Sequence, residues 1–179
     1  MSITAAEAAL LGLLCEGPKH PYQIEKDVQF RDMRFWTELS MSAIYKALTK
    51  LEFMNYAESS TQISEENRAR KIYQITPEGI SAFKDKIREL LAEPEHLRWK
   101  ADIAFYNLDV MDKDEQLQLL ESYKEALQKK ITEYRALEAF MKESDCSIYP
   151  LSISLRPIYL MQGEIQWVDD FVEKIKSTK

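Results

Sequence analysis

The sequence predicts a mainly α protein, in which an α+β unit of helices and one hairpin precedes a pair of long antiparallel helices. Three observations predict it. Only four glycines and six prolines punctuate 179 residues, so few breakers interrupt helical segments. Apolar residues recur at helical spacing along most of the chain, while the stretch 56–75 switches to alternation. Hydrophobic residues make up 45% of the chain and charged residues 30%, enough apolar surface for a core, which excludes a disordered polymer.

The elements follow in order. Thr4 with Glu7 forms a capping box, because the hydroxyl and the carboxylate satisfy orphan amides reciprocally, and Gly17-Pro18 ends the helix it opens. Pro21 starts a second helix with Ile24 and Val28 on one face. A third, LSMSAIYKALTKLEF, is capped by Ser40 or Ser42 and buries Ile44, Leu48 and Leu51. Its other face carries Ser42, Tyr45, Lys46, Thr49 and Lys50, and Asn55 can close it in a left-handed conformation. Residues 56–75 read as a hairpin with a long polar tip, SEENRARK, and Tyr73 and Ile75 alternate as a half-buried strand would. Thr76 then caps a fourth helix with Pro77 in its first turn and Ile80, Phe83, Ile87, Leu90 and Leu91 in helical period.

The segment LLAEPEHLRW, with Pro94 inside it, marks a boundary, dividing residues 1–91 from 92–179. Asp112 with Glu115 opens a helix running to about Glu143, a rod of roughly 48 Å at 1.5 Å per residue. Leu117, Leu120, Lys124, Leu127, Ile131, Tyr134, Glu138 and Met141 give it the alternating three-and-four seam of a helix pressed on another. After a break at Pro150, Leu155, Ile158, Gln162, Ile165, Val168, Val172 and Ile175 repeat that seam, with Pro157 expected in an early turn. Tyr123, Phe140, Tyr159, Trp167 and Phe171 lie off or beside the seams, more aromatic surface than one helical pair can bury, and imply a dimer.

Charge is unevenly placed. The net charge of -6 divides into -1 for residues 1–91 and -5 for 92–179. Within this acidic chain, residues 39–51 and 67–76 hold Lys46, Lys50, Arg68, Arg70 and Lys71 and no acid. Three helices and a hairpin in this order make a winged helix-turn-helix, whose third helix enters the major groove while the hairpin reaches the neighbouring backbone. The hairpin cations would neutralise phosphates, and Ser42, Tyr45, Lys46 and Thr49 would read base edges or a thymine methyl. Lysines and serines on an amphipathic helix also make an ordinary solvated face, and spacing alone leaves both readings open.

Other chemistry finds little support. No G-x-G-x-x-G or G-x-x-x-x-G-K loop occurs, and His20 and His96, the only histidines, have no cysteine nearby, so neither a nucleotide cradle nor a metal site is signalled. No cofactor is expected. Glu65-Glu66 and Asp169-Asp170 are adjacent acids whose side chains diverge, which solvated charge explains. Cys15, read as a small hydrophobe in an apolar run, and Cys146 suit a reducing, cytoplasmic setting, and no apolar stretch approaches the roughly 20 residues of a membrane span. Trp99, Phe105, Tyr106, Tyr159 and Trp167 could line a cavity for a planar ligand, or serve as core and dimer seam.

The segments AALLGLLCEGPKHPYQI, then FW, then SAIYKALTKLEFMNY, then RKIYQITPEGISAF resemble the PadR family of bacterial transcriptional regulators over residues 5 to 90. The second half, ending in IQWVDDFV, is similar to the virulence-activator-alpha type of C-terminal domain. The resemblance implies a cytoplasmic homodimer bound to a palindromic double-stranded DNA operator, usually as a repressor, with the C-terminal helices forming the dimer. Some relatives sense phenolic acids or flat aromatic drugs. Carried onto this chain, it assigns Ser42, Tyr45, Lys46 and Lys50 to the recognition helix and Arg68, Arg70 and Lys71 to the wing. Three positions depart from the family pattern: Pro21 and Asn55 stand where glycines are usual, and the wing lacks its glycine. The rival reading is a winged-helix adaptor that binds protein instead of DNA, and an enzyme ranks third.

Overall fold

The structure, a computed structural model, describes residues 2–63, 69–96, 98–144 and 146–178. The chain divides into two compact units, Met1–His96 and Leu97–Lys179.

In the first unit, α1 (Ala5–Cys15) is the central helix. Leu10, Leu11, Leu13 and Leu14 are all buried, and a helix apolar on nearly every side has to be surrounded. Its start is the expected capping box: the Glu7 amide donates to Thr4 Oγ1 at 3.2 Å and the Thr4 amide to Glu7 Oε2 at 2.9 Å. Around it lie α2 (Pro21–Phe30), a short 3-10 turn (Met33–Phe35), α3 (Met41–Phe53), an antiparallel ribbon of β1 (Ala57–Ile63) and β2 (Ala69–Ile75), and α4 (Pro77–Ala92). Ile24, Val28, Leu39, Ile44, Leu48, Leu51, Ala57 and Tyr73 complete the core. His20 caps α2, its Nδ1 accepting from the Gln23 amide at 3.0 Å, and backbone bonds between Lys19 and Tyr73 tie the α1–α2 connection to β2.

The joint between α3, the ribbon and α4 is tight. Asn55 takes φ 58° and closes α3 in a Schellman motif, the Tyr56 amide donating to the Leu51 carbonyl and the Asn55 amide to the Glu52 carbonyl. Thr76 Oγ1 then accepts from the Gly79 amide at 3.0 Å and donates to the Asn55 carbonyl at 2.7 Å. Gly79 has a steric reason: a Cβ there would lie 2.0 Å from the Tyr56 carbonyl oxygen.

One expectation for this unit needs correcting. Cys15 is exposed at the end of α1 instead of interior, because it follows the last core leucine of that helix. The α4 stripe has the expected period, yet Ile80, Ile87, Leu90 and Leu91 are exposed and only Phe83 of the five packs on the core.

The second unit contains α5 (Ala101–Tyr106), a 3-10 turn (Leu108–Val110), α6 (Lys113–Glu143) and α7 (Ile148–Ser177). Asp112 caps α6, and every position of its expected seam from Leu117 to Met141 is buried or half-buried. The charged seam positions are accommodated: Lys124 crosses to Asp169 of α7 at 2.7 Å and also holds Glu121 at 3.2 Å. The α7 seam differs from expectation. The helix starts at Ile148, so Pro150 lies in its first turn and Pro157 lies well inside it, where it withdraws a donor from the ladder. Ser154 is fully buried and Met161 half-buried, while Gln162 is exposed, so the face runs through Leu151, Ser154, Ile158, Met161, Ile165, Val168, Val172 and Ile175. Ser154 hides in that face because its hydroxyl donates to the Leu151 carbonyl at 2.8 Å.

Candidate nucleic-acid interface

The candidate interface is built on α3. Ser40 Oγ accepts from the Ala43 amide at 3.2 Å and so decides the cap that the sequence left open between two serines. Burial of Ile44, Leu48 and Leu51 then fixes the rotation of the helix and turns Ser42, Tyr45, Lys46 and Thr49 outward, all exposed. Ser42 Oγ lies 3.1 Å from Ser40 Oγ, and Thr49 Oγ1 donates to the Tyr45 carbonyl at 3.1 Å. Among the described residues, Lys46 has no ion pair.

Three brackets hold this helix from outside. Arg34 donates through Nε to the Leu39 carbonyl at 2.9 Å and through Nη2 to both oxygens of buried Glu25 at 2.7 Å, fastening the approach to α3 onto α2. Lys50 pairs at 2.7 Å with Glu7, which is buried in α1. Burial pushes the Glu7 carboxyl up, but bonds from Lys50 and the Thr4 amide, with the Lys50 charge, outweigh it and leave the group below its ordinary value. Glu52, in the last turn, accepts from Lys71 Nζ at 2.6 Å and Ser59 Oγ at 2.5 Å. Those two bonds hold its carboxyl low as well.

The five cations read from the sequence therefore fall into different situations. Among the described residues, Lys46 has no ion pair on the outer face of α3. Lys50 and Lys71 already meet carboxylates. Arg70 and Lys71 are neighbours in β2, and strand alternation sends them to opposite faces of the ribbon. Arg68 lies outside the described residues. The partners Glu7 and Glu52 escaped the sequence reading for a simple reason: the acid-free window 39–51 stops one residue short of Glu52, and Glu7 sits far away in sequence behind its role as a cap.

The aromatic group of the second unit is brought together only in part. Phe105 and Trp167 meet edge to face with centroids 4.8 Å apart, and Tyr123 and Phe171 join them. Trp99, Tyr106 and Tyr159 are exposed, and among the described residues none has a ring contact with this cluster. An open apolar cavity of about 400 Å³ lies beside the cluster, lined by Ala104, Phe105, Leu108, Met111, Leu120 and Tyr123 among others, so Phe105 alone of the five expected residues borders it. Tyr123 donates from its hydroxyl to Glu164 at 3.2 Å, and burial, then the Glu164 charge, push its phenol up. Among the described residues no cluster of histidine, cysteine and acids could hold a metal ion, and no helix is long and apolar enough to cross a membrane.

A winged helix-turn-helix in one unit and a long antiparallel helical pair in the other define the class of transcriptional regulators built this way. Residues 10–85 match the model of the transcriptional regulator PadR-like family, and residues 105–176 match that of the virulence activator alpha C-terminal domain. Both matched domains, and the fold, are those of transcriptional regulators and not of enzymes. Among solved structures, it is similar to Bacillus subtilis PadR in complex with operator DNA, with TM-score 0.74 and 19% identity over 96% of this chain and 99% of that one. The same protein in complex with p-coumaric acid gives TM-score 0.73 and 16% identity over 96% of each chain. The Vibrio cholerae virulence activator AphA gives TM-score 0.63 and 18% identity over 97% and 99%. At such identities the likeness is one of fold. No curated protein matches the chain.

Proposed function

We propose that this chain is a homodimeric repressor that binds a palindromic duplex operator, residues 1–91 carrying the DNA contacts and 92–179 the dimerisation surface. One observation carries the reading: the outer face of α3 presents Ser42, Tyr45, Lys46 and Thr49 exposed, with Lys46 unpaired among the described residues, on a helix whose other side is fixed in the core. Such a face suits the major groove, Lys46 to a guanine edge or a phosphate and Tyr45 to a thymine methyl. Arg70 and Arg68 are the wing cations of this reading, with Lys50 and Lys71 contributing by placing the helix and the wing. In a dimer, two such helices would read half-sites about 34 to 36 Å apart.

The test is binding of the DNA upstream of its gene, measured by fluorescence anisotropy against salt. Affinity should fall linearly in a log-log plot, and Lys46→Ala should weaken binding and flatten the slope by about one if Lys46 meets a phosphate. A salt-independent plot for the parent would remove phosphate contact altogether. Sedimentation of the free chain as a monomer at micromolar concentration would remove the dimer.

We also propose that a small planar aromatic compound acts as effector at the second unit. The apolar cavity is within the size range of ligand pockets, and Phe105 links it to Trp167. A phenolic compound that binds there should quench Trp167 emission and release DNA together. Unchanged emission with DNA retained, across a panel of such compounds, would leave these rings as packing.

A further inference from the structure

The last turn of α3 carries an acid that the interface as read so far does not need. Glu52 sits at the carbonyl end of the helix, where the helix dipole disfavours negative charge. It keeps that place by binding the ribbon: Ser59 of β1 and Lys71 of β2 both donate to its carboxylate, at 2.5 and 2.6 Å. The register explains why these two converge. Ser59 lies opposite Tyr73 and Thr61 opposite Lys71, so Ser59, Lys71 and Tyr73 share the face of the ribbon that turns toward the core. The Lys71 ammonium also rests 5.0 Å from the Tyr73 ring centroid, with Tyr73 buried. Two residues earlier, Lys50 makes the opposite connection, to Glu7 of α1.

We propose that Glu52 is a positioning residue for DNA recognition, seating the wing against α3 through Ser59 and Lys71 and withholding the Lys71 charge from phosphates met without regard to sequence. This inference rests on the DNA-binding reading above. Its consequence is selectivity. Phosphate contacts raise affinity for every duplex equally, so a lysine committed to an internal carboxylate lowers the non-specific background and leaves discrimination to the outer face of α3. Glu52 stands to Lys71 as a backbone phosphate otherwise would, and the Lys71 titration is moved up by that bond first and by Tyr73 second.

Two variants test it, Glu52→Gln, which keeps the size of the side chain, and Lys71→Met, in two arms. The first arm uses the free protein. By NMR, the Glu52 carboxyl should titrate below its ordinary value of 4.5 in the parent and return toward it in Lys71→Met. Amides of 57–63 and 69–75 should exchange severalfold faster in both variants. An ordinary Glu52 titration in the parent, or unchanged exchange in both variants, would overturn the seating role.

The second arm uses duplex DNA of the upstream sequence and of scrambled sequence. Glu52→Gln should bind scrambled duplex severalfold more tightly, with a salt slope steeper by about 0.9, and the preference for the upstream sequence should drop. Lys71→Met should keep the slope of the parent. An unchanged slope and preference in Glu52→Gln, or a slope flattened by about 0.9 in Lys71→Met, would overturn the withholding role. If the parent binds neither duplex at low salt, the proposed function itself fails, and with it the withholding role, while the first arm still decides the seating.

Discussion

The two units of this chain close their interiors to very different degrees. The winged helix buries residues from α1, α2, α3 and both strands in one continuous core, with Leu10, Leu11, Leu14, Ile24, Ile44, Leu48 and Leu51 almost wholly withdrawn from water. The helical unit, built from longer elements, encloses among the described residues only the hydrophobic side chains Leu120, Ile131 and Val168 to that extent and leaves Ile103, Tyr106, Phe140, Tyr149, Tyr159 and Trp167 exposed. Length alone does not make a core. Two helices meet along one seam, whereas helices crossing over a ribbon enclose a volume. The winged helix closes its core over its own elements and leaves the α4 stripe exposed, whereas the helical unit presents apolar surface that, in the proposed dimer, a second copy would cover.

Substitutions can break that comparison. Leu48→Ala should cost about 3 kcal/mol in denaturant unfolding, since the cavity it leaves is walled on all sides. Ile131→Ala, in the seam of α6, should cost about 2 kcal/mol because a two-helix seam relaxes more readily around a gap. The loss should also vary with protein concentration, whereas that of Leu48→Ala should not. Amide exchange read separately in α3 and α6 distinguishes the two. Equal losses, both independent of concentration, would erase the contrast. Thr76→Ala should cost about 1 kcal/mol, the value of a lost helix cap, and raise exchange first in α4.

The smallest effect per group is acid sensitivity. Glu7, Glu16, Asp27 and Glu52 all belong to the winged helix and all have carboxyls below their ordinary values, 4.5 for the glutamates and 3.8 for the aspartate. The Arg31 bond is the main cause at Glu16. At Asp27, burial opposes the shift and bonds from Lys19 and Gln23 overcome it. A depressed carboxyl contributes stability that is complete above its ordinary value and lost as pH falls through the folded value. Stability of the winged helix, followed at Trp36, should therefore start to decline below about pH 4.5, and Lys50→Met should remove part of that decline. A pH-independent midpoint between 6 and 3 would show that these pairs contribute nothing.

Much of this architecture was legible in the residues. The capping box at Thr4, the buried stripe of α3, the left-handed Asn55 and the seam of α6 are local patterns, and local patterns survive folding. Long-range facts were not legible. The α7 face was misjudged because a buried serine looks polar in a sequence and its hydroxyl finds a partner only once the helix exists. The α4 stripe has a sound period, but of its five residues only Phe83 packs on the core of its unit. Among the candidate contacts, the outer face of α3 followed from periodicity, whereas the fate of Lys50 and Lys71 depended on acids brought in from α1 and from the residue just beyond the window considered. A charge count over a segment cannot see which of its charges are already spent.

The bracketing of α3 has a practical side. Among the described residues, Ser42, Tyr45, Lys46 and Thr49 make no hydrogen bond or ion pair beyond two local hydroxyl bonds, so under the proposed function a library confined to these four positions should alter what the helix reads while changing fold stability by no more than about 0.5 kcal/mol per substitution. Under that reading Lys50 and Glu52 belong to the mounting and not to the lettering, and retargeting efforts that randomise the whole helix would dismantle the frame along with the text.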